Sequence, residues 1–335
     1  MSLWVSRSEP GRGPALPGAP PFACSPTSSG PADLMEMSLP PNPESPSAER
    51  PVAVVTGASS GIGRATARAL AEQGWQVIGV GRDPERSAAA AAEIAAAAGG
   101  PGGFTMLRGD FTLMADVRRV AGEIRDLTPR LDVLINNAGG VRDRRIISAE
   151  GTEATFAVNH LAPFLLTREL LPLLRANAAA RPAGSTRVIA VSSSGHRAVD
   201  GLDWDDLQSL GEFRAAVAYC RAKLANILFT RELARRAGPA GIVAQAMHPG
   251  VVASNFSAHG DAAMRAHMAA ADTVSPDEPA ETLTWLATGP EGGRTGGRYF
   301  HRRAEELPAE AARDDAAAAR LWTESERLLA ELGFH

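Results

Sequence analysis

The chain has only two cysteines, Cys24 and Cys220, too few and too far apart for a disulfide framework or a thiolate zinc site, so no metal centre is expected. It also lacks an excess of either charge. Lys and Arg number 34 against 38 Asp and Glu, the signs are interleaved, and no basic stripe exists to hold a nucleic acid. Long apolar runs are missing as well. No stretch approaches the roughly 20 residues that span a bilayer, and Leu3-Trp4-Val5 is too short for a signal-peptide core, which makes the cytoplasm the expected compartment. Residues 1–50 lack apolar periodicity and are crowded with Pro, Ser and Gly, so they read as a disordered extension, with Met35 and Met37 as alternative starts. The rest, 51–335 including a C-terminal helix, is ample for one domain.

What the chain does have, from Val52 onward, is a regular alternation. Short β-branched runs at Val52–Thr56, Gln76–Val80, Phe104–Leu107, Asp132–Ile135, Arg187–Val191, Val243–Met247 and Gly297–Phe300 are separated by Ala- and Leu-rich stretches of helical composition. Near-continuous apolar strands divided by helices predict an α/β fold: a single doubly wound (Rossmann) domain around a parallel sheet of about seven strands. Such sheets bind ligands outside the carboxyl ends of their strands, so the strand ends are where chemistry is to be sought.

The first strand ends in Gly57-Ala58-Ser59-Ser60-Gly61-Ile62-Gly63. Glycines there let the backbone turn tightly and approach a pyrophosphate, whose charge is met by the N–H groups opening the helix Ile62–Gln73. At the second strand tip stand Arg82 and Asp83. A carboxylate at this place would take the ribose 2′-hydroxyl of NAD, and an arginine the 2′-phosphate of NADP. Because Pro84 suits a first helical position, Asp83 reads as the cap of the next helix, leaving Arg82 free and favouring NADP over NAD. The third strand ends in Asp110-Phe111, a carboxylate and a ring placed to hold an adenine, with helix capping by Asp110 as a compatible second role. The fourth runs into Asn136-Asn137-Ala138-Gly139-Gly140, small residues that admit a ligand closely.

Beyond these lies Asn159-His160-Leu161-Ala162-Pro163. Proline inside a helix cannot bond the carbonyl four residues back, so a local distortion and a freed Asn159 carbonyl are expected; His160 reads as a packed histidine. The fifth strand ends in Ser192-Ser193-Ser194, and the sixth in His248-Pro249-Gly250-Val251-Val252-Ala253-Ser254. After it, the Ala- and Met-rich segment from Asn255 to Pro276 is suited to a lid. Phe213 to Ala237 reads as one helix with a basic last turn and a Gly238-Pro239 stop. It carries Tyr219 and Lys223 one turn apart on one face, where an ammonium beside the phenol oxygen would lower its pKa.

Taken in order, Thr56-Gly57…Gly61-x-Gly63, Asp110, Asn136-Asn137-Ala138-Gly139, Asn159, Ser193, Tyr219-x-x-x-Lys223 and Pro249-Gly250 resemble the short-chain dehydrogenase/reductase family from about Val52 to Phe300. Asn159-His160-Leu161, His248-Pro249-Gly250-Val251-Val252 and Leu321-Trp322-Thr323-Glu324-Ser325 resemble its retinol-dehydrogenase-like branch. The resemblance implies reversible hydride exchange between NADP(H) and a small-molecule carbonyl or alcohol. Tyr219 would be the acid or base, Lys223 its electrostatic partner and grip on the nicotinamide ribose, Ser193 the group on the substrate oxygen, and Asn159 the holder of a water behind Lys223. It also implies cofactor contacts from Ser59, Ser60, Ile62, Pro249, Gly250, Val252 and Ser254, the last standing where the family often has threonine. The polar N-terminal tail departs from the membrane-anchoring segment of animal members. A catalytically silent NADP-binding sensor or scaffold on the same fold is the alternative, favoured by loss of Tyr219, Lys223 or Ser193, none of which is lost. Homo-oligomerisation stays open.

Overall fold

The structure, a computed structural model, describes residues 50–99, 102–254, 256 and 259–335, without the side chains at 263 and 267. The expectations for the N-terminal extension and its Cys24 therefore fall outside the described residues. From Glu49 to the C-terminus the chain forms one compact unit. Strands β1 (Val52–Thr56), β2 (Gln76–Gly81), β3 (Phe104–Arg108), β4 (Val133–Asn136), β5 (Thr186–Val191), β6 (Ile242–Met247), β7 (Arg298–His301) and β8 (Ala304–Glu305) build one sheet in the order β3-β2-β1-β4-β5-β6-β7-β8. All pairings are parallel except β7 with β8. The expected count of seven strands is thus one short. β8 is two exposed residues reached through Arg302 and Arg303, both at positive φ (45° and 62°) with no Gly or Asn to mark the turn.

Alternation along β1 sorts the core into two layers. Val52 and Val54 face a cluster with α3 (Met114–Leu127), α5 (Ala162–Ala180), α6 (Ala215–Ala237) and α9 (Asp315–Glu331); Ala53 and Val55 face another with α1 (Gly61–Glu72), α2 (Pro84–Ala97) and α8 (Asp277–Thr288). With both faces covered, every residue of β1 is buried, which is why its sequence is a continuous apolar run. Strand order reverses at β1, between β2 and β4, and the ligand crevice of such a sheet opens there.

The distortion expected near Asn159 is present. A short helix α4 (Ala154–Phe156) passes into a π turn at Ala157–Leu161, where the Ala162 N–H reaches back five residues to the Ala157 carbonyl. Pro163 lies, as expected, inside a helical run that continues without a break from Ala154 to Ala180, directly after the π turn.

Three buried histidines tie the strand-end loops to the C-terminal segment. His160, in the π turn, packs against Phe156, Phe164 and Phe229, and its Nε2 lies 2.8 Å from Ser325 Oγ on α9. Ser325 donates its own proton to the Leu321 carbonyl, so His160 is the donor. His196, beyond β5, accepts from Ala309 N–H through Nε2 (3.1 Å), which puts its proton on Nδ1, 2.7 Å from the Ser193 carbonyl. His248, at the end of β6, accepts from Gly250 N–H and so donates through Nε2 to Glu306, at 3.2 Å. Burial depresses the pKa of all three, to about 3 for His160 and about 4 for His248.

Because these folded-state values lie below the unfolded value of 6.5, the unfolded chain takes up protons first on acidification, and stability must fall as pH drops below about 6.5. The loss is on the order of a few kcal/mol by pH 4, read as a falling Tm. His160→Gln should flatten that slope; a Tm equally steep in the variant would contradict the assignment.

Candidate active site

At the β1–α1 turn, glycine is required by close approach. A Cβ on Gly57 (φ +72°) would sit 2.8 Å from Asn137 Nδ2, and one on Gly63 would collide with the Gly57 carbonyl. Thr56 closes the crevice floor. Its Oγ1 accepts the N–H groups of Asn137 (3.0 Å) and Ala138 (2.9 Å), while Asn137 Nδ2 donates to the Thr56 carbonyl (2.8 Å). The two strand ends at the switch point are thereby locked. Ser60 precedes α1 in an extended conformation with no capping hydrogen bond from its side chain. The first N–H groups of α1 consequently face the cleft with their partial positive charge uncancelled.

At the tip of β2, Asp83 is engaged as the cap of α2. It accepts the Arg86 N–H at 2.9 Å, and Pro84 follows in the first turn. Arg82 beside it enters no ion pair among the described residues and lines the cleft. Asp110 also lines it, but caps a turn rather than the helix: its Oδ1 accepts Thr112 N–H (3.0 Å) and Oγ1–H (2.8 Å), and the residue preceding α3 is Leu113. Phe111 is mostly buried beside it.

Asn159 is fully buried, and its amide grips the loop after β4. Nδ2 donates to the carbonyls of Gly140 (2.7 Å) and Thr155 (2.8 Å), and Oδ1 accepts Gly140 N–H (3.1 Å). A Cβ on Gly139 would lie 2.5 Å from Asn159 Oδ1 and 3.1 Å from Lys223 Nζ, so Gly139 marks the point where those two side chains converge.

The serine run divides by position. Ser192 is buried and donates to the Lys223 carbonyl at 2.7 Å, Ser194 is exposed, and Ser193 lines the cleft with Tyr219 while its Oγ accepts Gly195 N–H at 3.1 Å. The helix bearing Tyr219 begins at Ala215, two residues later than expected. Lys223, 4% exposed, turns its Nζ to the Val191 carbonyl (3.0 Å) and lies 5.6 Å from the Tyr219 ring centroid. The electrostatics differ from expectation here. Desolvation outweighs every other influence, pushing the Tyr219 phenol up, opposed by the Ser193 side chain, and Lys223 down to about 7. In this structure Lys223 does not lower the phenol; Tyr219 is held as a protonated acid.

The loop after β6 forms the opposite wall. Pro249, Gly250 (φ +78°), Val252 and Ser254 line the cleft, and the Phe256 ring lies 5.0 Å from that of Tyr219. Ala253 N–H and Val274 N–H bond Val274 O and Val251 O, both at 2.9 Å, closing the base of a segment that contains α7 (Ala262–Ala270) and brings Met264 and Met268 to the cleft. The cleft measures about 500 Å³. Every candidate named from the sequence lines it except Gly63 and Asn159, which stand behind the wall. Sequence reasoning missed Phe256, the clamp formed by Thr56 and the brace by His196. A sequence signal existed only for Thr56, which begins the glycine motif.

His248, His301 and Glu306 bring three ligating atoms within 4.8 Å of one another. The imidazoles, however, stack 4.0 Å apart at 11°, so their in-plane lone pairs run side by side instead of meeting at one point. The cluster is a brace for the Pro249-Gly250 turn, not a metal centre.

The short chain dehydrogenase family model matches residues 51–264. Retinol dehydrogenase 13 of Homo sapiens is 36% identical over 292 residues, covering 82% of this chain and 83% of that protein. Among solved structures, the Pseudomonas aeruginosa RhlG/NADP active-site complex is 28% identical with a TM-score of 0.60, over 78% of this chain and 96% of that one. The 3-ketoacyl-(acyl-carrier-protein) reductase of Brucella melitensis, complexed with NADH, shares the fold at 24% identity and a TM-score of 0.58, covering 75% of this chain and 95% of that one. The chain belongs to the short-chain dehydrogenase/reductase family, on its retinol-dehydrogenase-like side. It is accordingly an NAD(P)-dependent oxidoreductase acting on CH–OH and carbonyl groups. Among the described residues no helix is long and apolar enough to cross a membrane.

The two tyrosines of the chain, Tyr219 and Tyr299, are both pushed up by burial. Ultraviolet titration of the protein should show phenolate absorbance appearing only at higher pH than in the unfolded chain, which titrates near about 10. A phenolate signal near neutrality would contradict the protonated Tyr219.

Proposed function

We propose that the protein is an NADP(H)-dependent oxidoreductase interconverting a carbonyl and an alcohol on a small apolar substrate. The observation that carries the cofactor choice is the division of labour at the β2 tip: the Asp83 carboxylate is consumed as a helix cap while Arg82 stays unpaired in the cleft. The residues fit a dinucleotide, since the uncapped start of α1, the glycines at 57 and 61 and the small residues 137–139 lie along one continuous cleft with Arg82. When bound, the nicotinamide supplies or accepts the hydride.

The chain's own residues supply the rest. Tyr219, held protonated beside Ser193, donates a proton to a carbonyl oxygen in reduction and recovers it in oxidation. Ser193, its hydroxyl fixed by Gly195 N–H and its carbonyl by His196, orients that oxygen. Lys223 grips the nicotinamide ribose, and the Asn159 region carries a water by which Lys223 regains protons. Phe256, Met264 and Met268 make the substrate side apolar, in keeping with the alcohol named in the human relative.

Assay of apolar aldehydes, ketones and alcohols by nicotinamide absorbance should show turnover with NADPH well above that with NADH. Arg82→Ala should raise KM for NADPH about tenfold or more and leave NADH nearly unchanged. Wild-type preference for NADH would overturn the cofactor reading, and equal losses with both cofactors would remove Arg82 from the 2′-phosphate.

A further inference from the structure

A second arginine lines the cleft that holds Arg82. Arg142, in the loop after β4, is partly buried and lines the same end of the cleft. Among the described residues its one hydrogen bond runs from Nη1 to the adjacent Val141 carbonyl, at 3.0 Å, and it forms no ion pair. The carboxylates that attract it, Asp110 and Glu153, are already committed: Asp110 to the Thr112 donors and Glu153 to the N–H groups of Thr155 and Phe156. After burial, its strongest electrostatic neighbour is Arg82, a like charge.

Two guanidinium groups without ion pairs that repel within one cleft, one of them partly desolvated, weaken the fold. Asp110 and Glu153 offset that cost only in part, whereas a dianion between the two guanidinium groups would turn both the repulsion and the desolvation into attraction. Arg82 comes from the β2 side of the switch point and Arg142 from the β4 side, so the pair flanks the crevice. We infer that Arg142 is a second cation for the 2′-phosphate of NADP(H), held from the β4 side while Arg82 holds it from the β2 side. This rests on the NADP(H) reading above.

The test is isothermal titration calorimetry of the full chain with NADP+, NAD+, 2′-AMP and 5′-AMP. R142A should weaken NADP+ and 2′-AMP by about 10- to 100-fold and leave NAD+ and 5′-AMP within about twofold, the loss expected for one charge-assisted contact. R142K, which keeps the charge without the planar fork, should recover part of the affinity. Should R142A fail to fold, R142Q reads the same discrimination. Equal weakening of NADP+ and NAD+, or no change in NADP+, overturns the inference while leaving the NADP(H) reading intact. If the wild type binds NAD+ at least as tightly as NADP+, the NADP(H) reading fails and this inference falls with it.

Discussion

The burial of one ammonium governs the architecture of this site. Lys223 is almost wholly out of water, and desolvation of a cation costs several kcal/mol unless polar groups meet it. The Val191 carbonyl meets Nζ directly, Asn226 shares that carbonyl at 3.3 Å, and Ser192 fixes the lysine's own backbone. Gly139 has to be glycine because a side chain there would occupy the space that Lys223 and Asn159 share. Asn159 in turn spends its whole amide on Gly140 and Thr155. The strand ends of β4 and β5, the π turn and α6 are therefore arranged around a single side chain whose proton affinity has been drawn down to about 7. A group titrating there can pass protons at neutral pH, which an exposed lysine cannot.

The C-terminal segment makes that arrangement rigid. Histidines from the π turn, the β5 end and the β6 end each reach residues beyond position 300: Ser325, Ala309 and Glu306. Ser193 and the Pro249-Gly250 turn are thus positioned from behind, by neutral imidazoles whose tautomers are set by backbone N–H donors. Such support leaves the cleft side of each loop free for ligand.

Much of this was legible in the sequence, for physical reasons. The central strands β1, β4 and β5 announce themselves because a strand covered on both faces is largely apolar, and Asp83 could be read as a cap because Pro84 follows it. The distortion near Asn159 was readable from Pro163, although its form, a π turn joining α4 to α5, was not. β8 escaped notice because its turn uses two arginines at positive φ. The direction of the Tyr219 shift was misjudged because burial is a property of the packed molecule: spacing on a helix places a lysine one turn away but says nothing of the Val191 carbonyl that claims it, or of Phe256 closing over the ring. Arg142 carried no signal at all, since an arginine in a loop reads as solvated until the cleft is seen around it.

The central claim is that Tyr219 is the proton donor of an NADP(H)-dependent oxidoreductase, and Tyr219→Phe tests it most directly. NADPH affinity and Tm should stay near wild type, because the ring still packs against Phe256, while carbonyl reduction falls by about 10²-fold or more. Turnover retained in the variant, at unchanged NADPH affinity, would contradict the account.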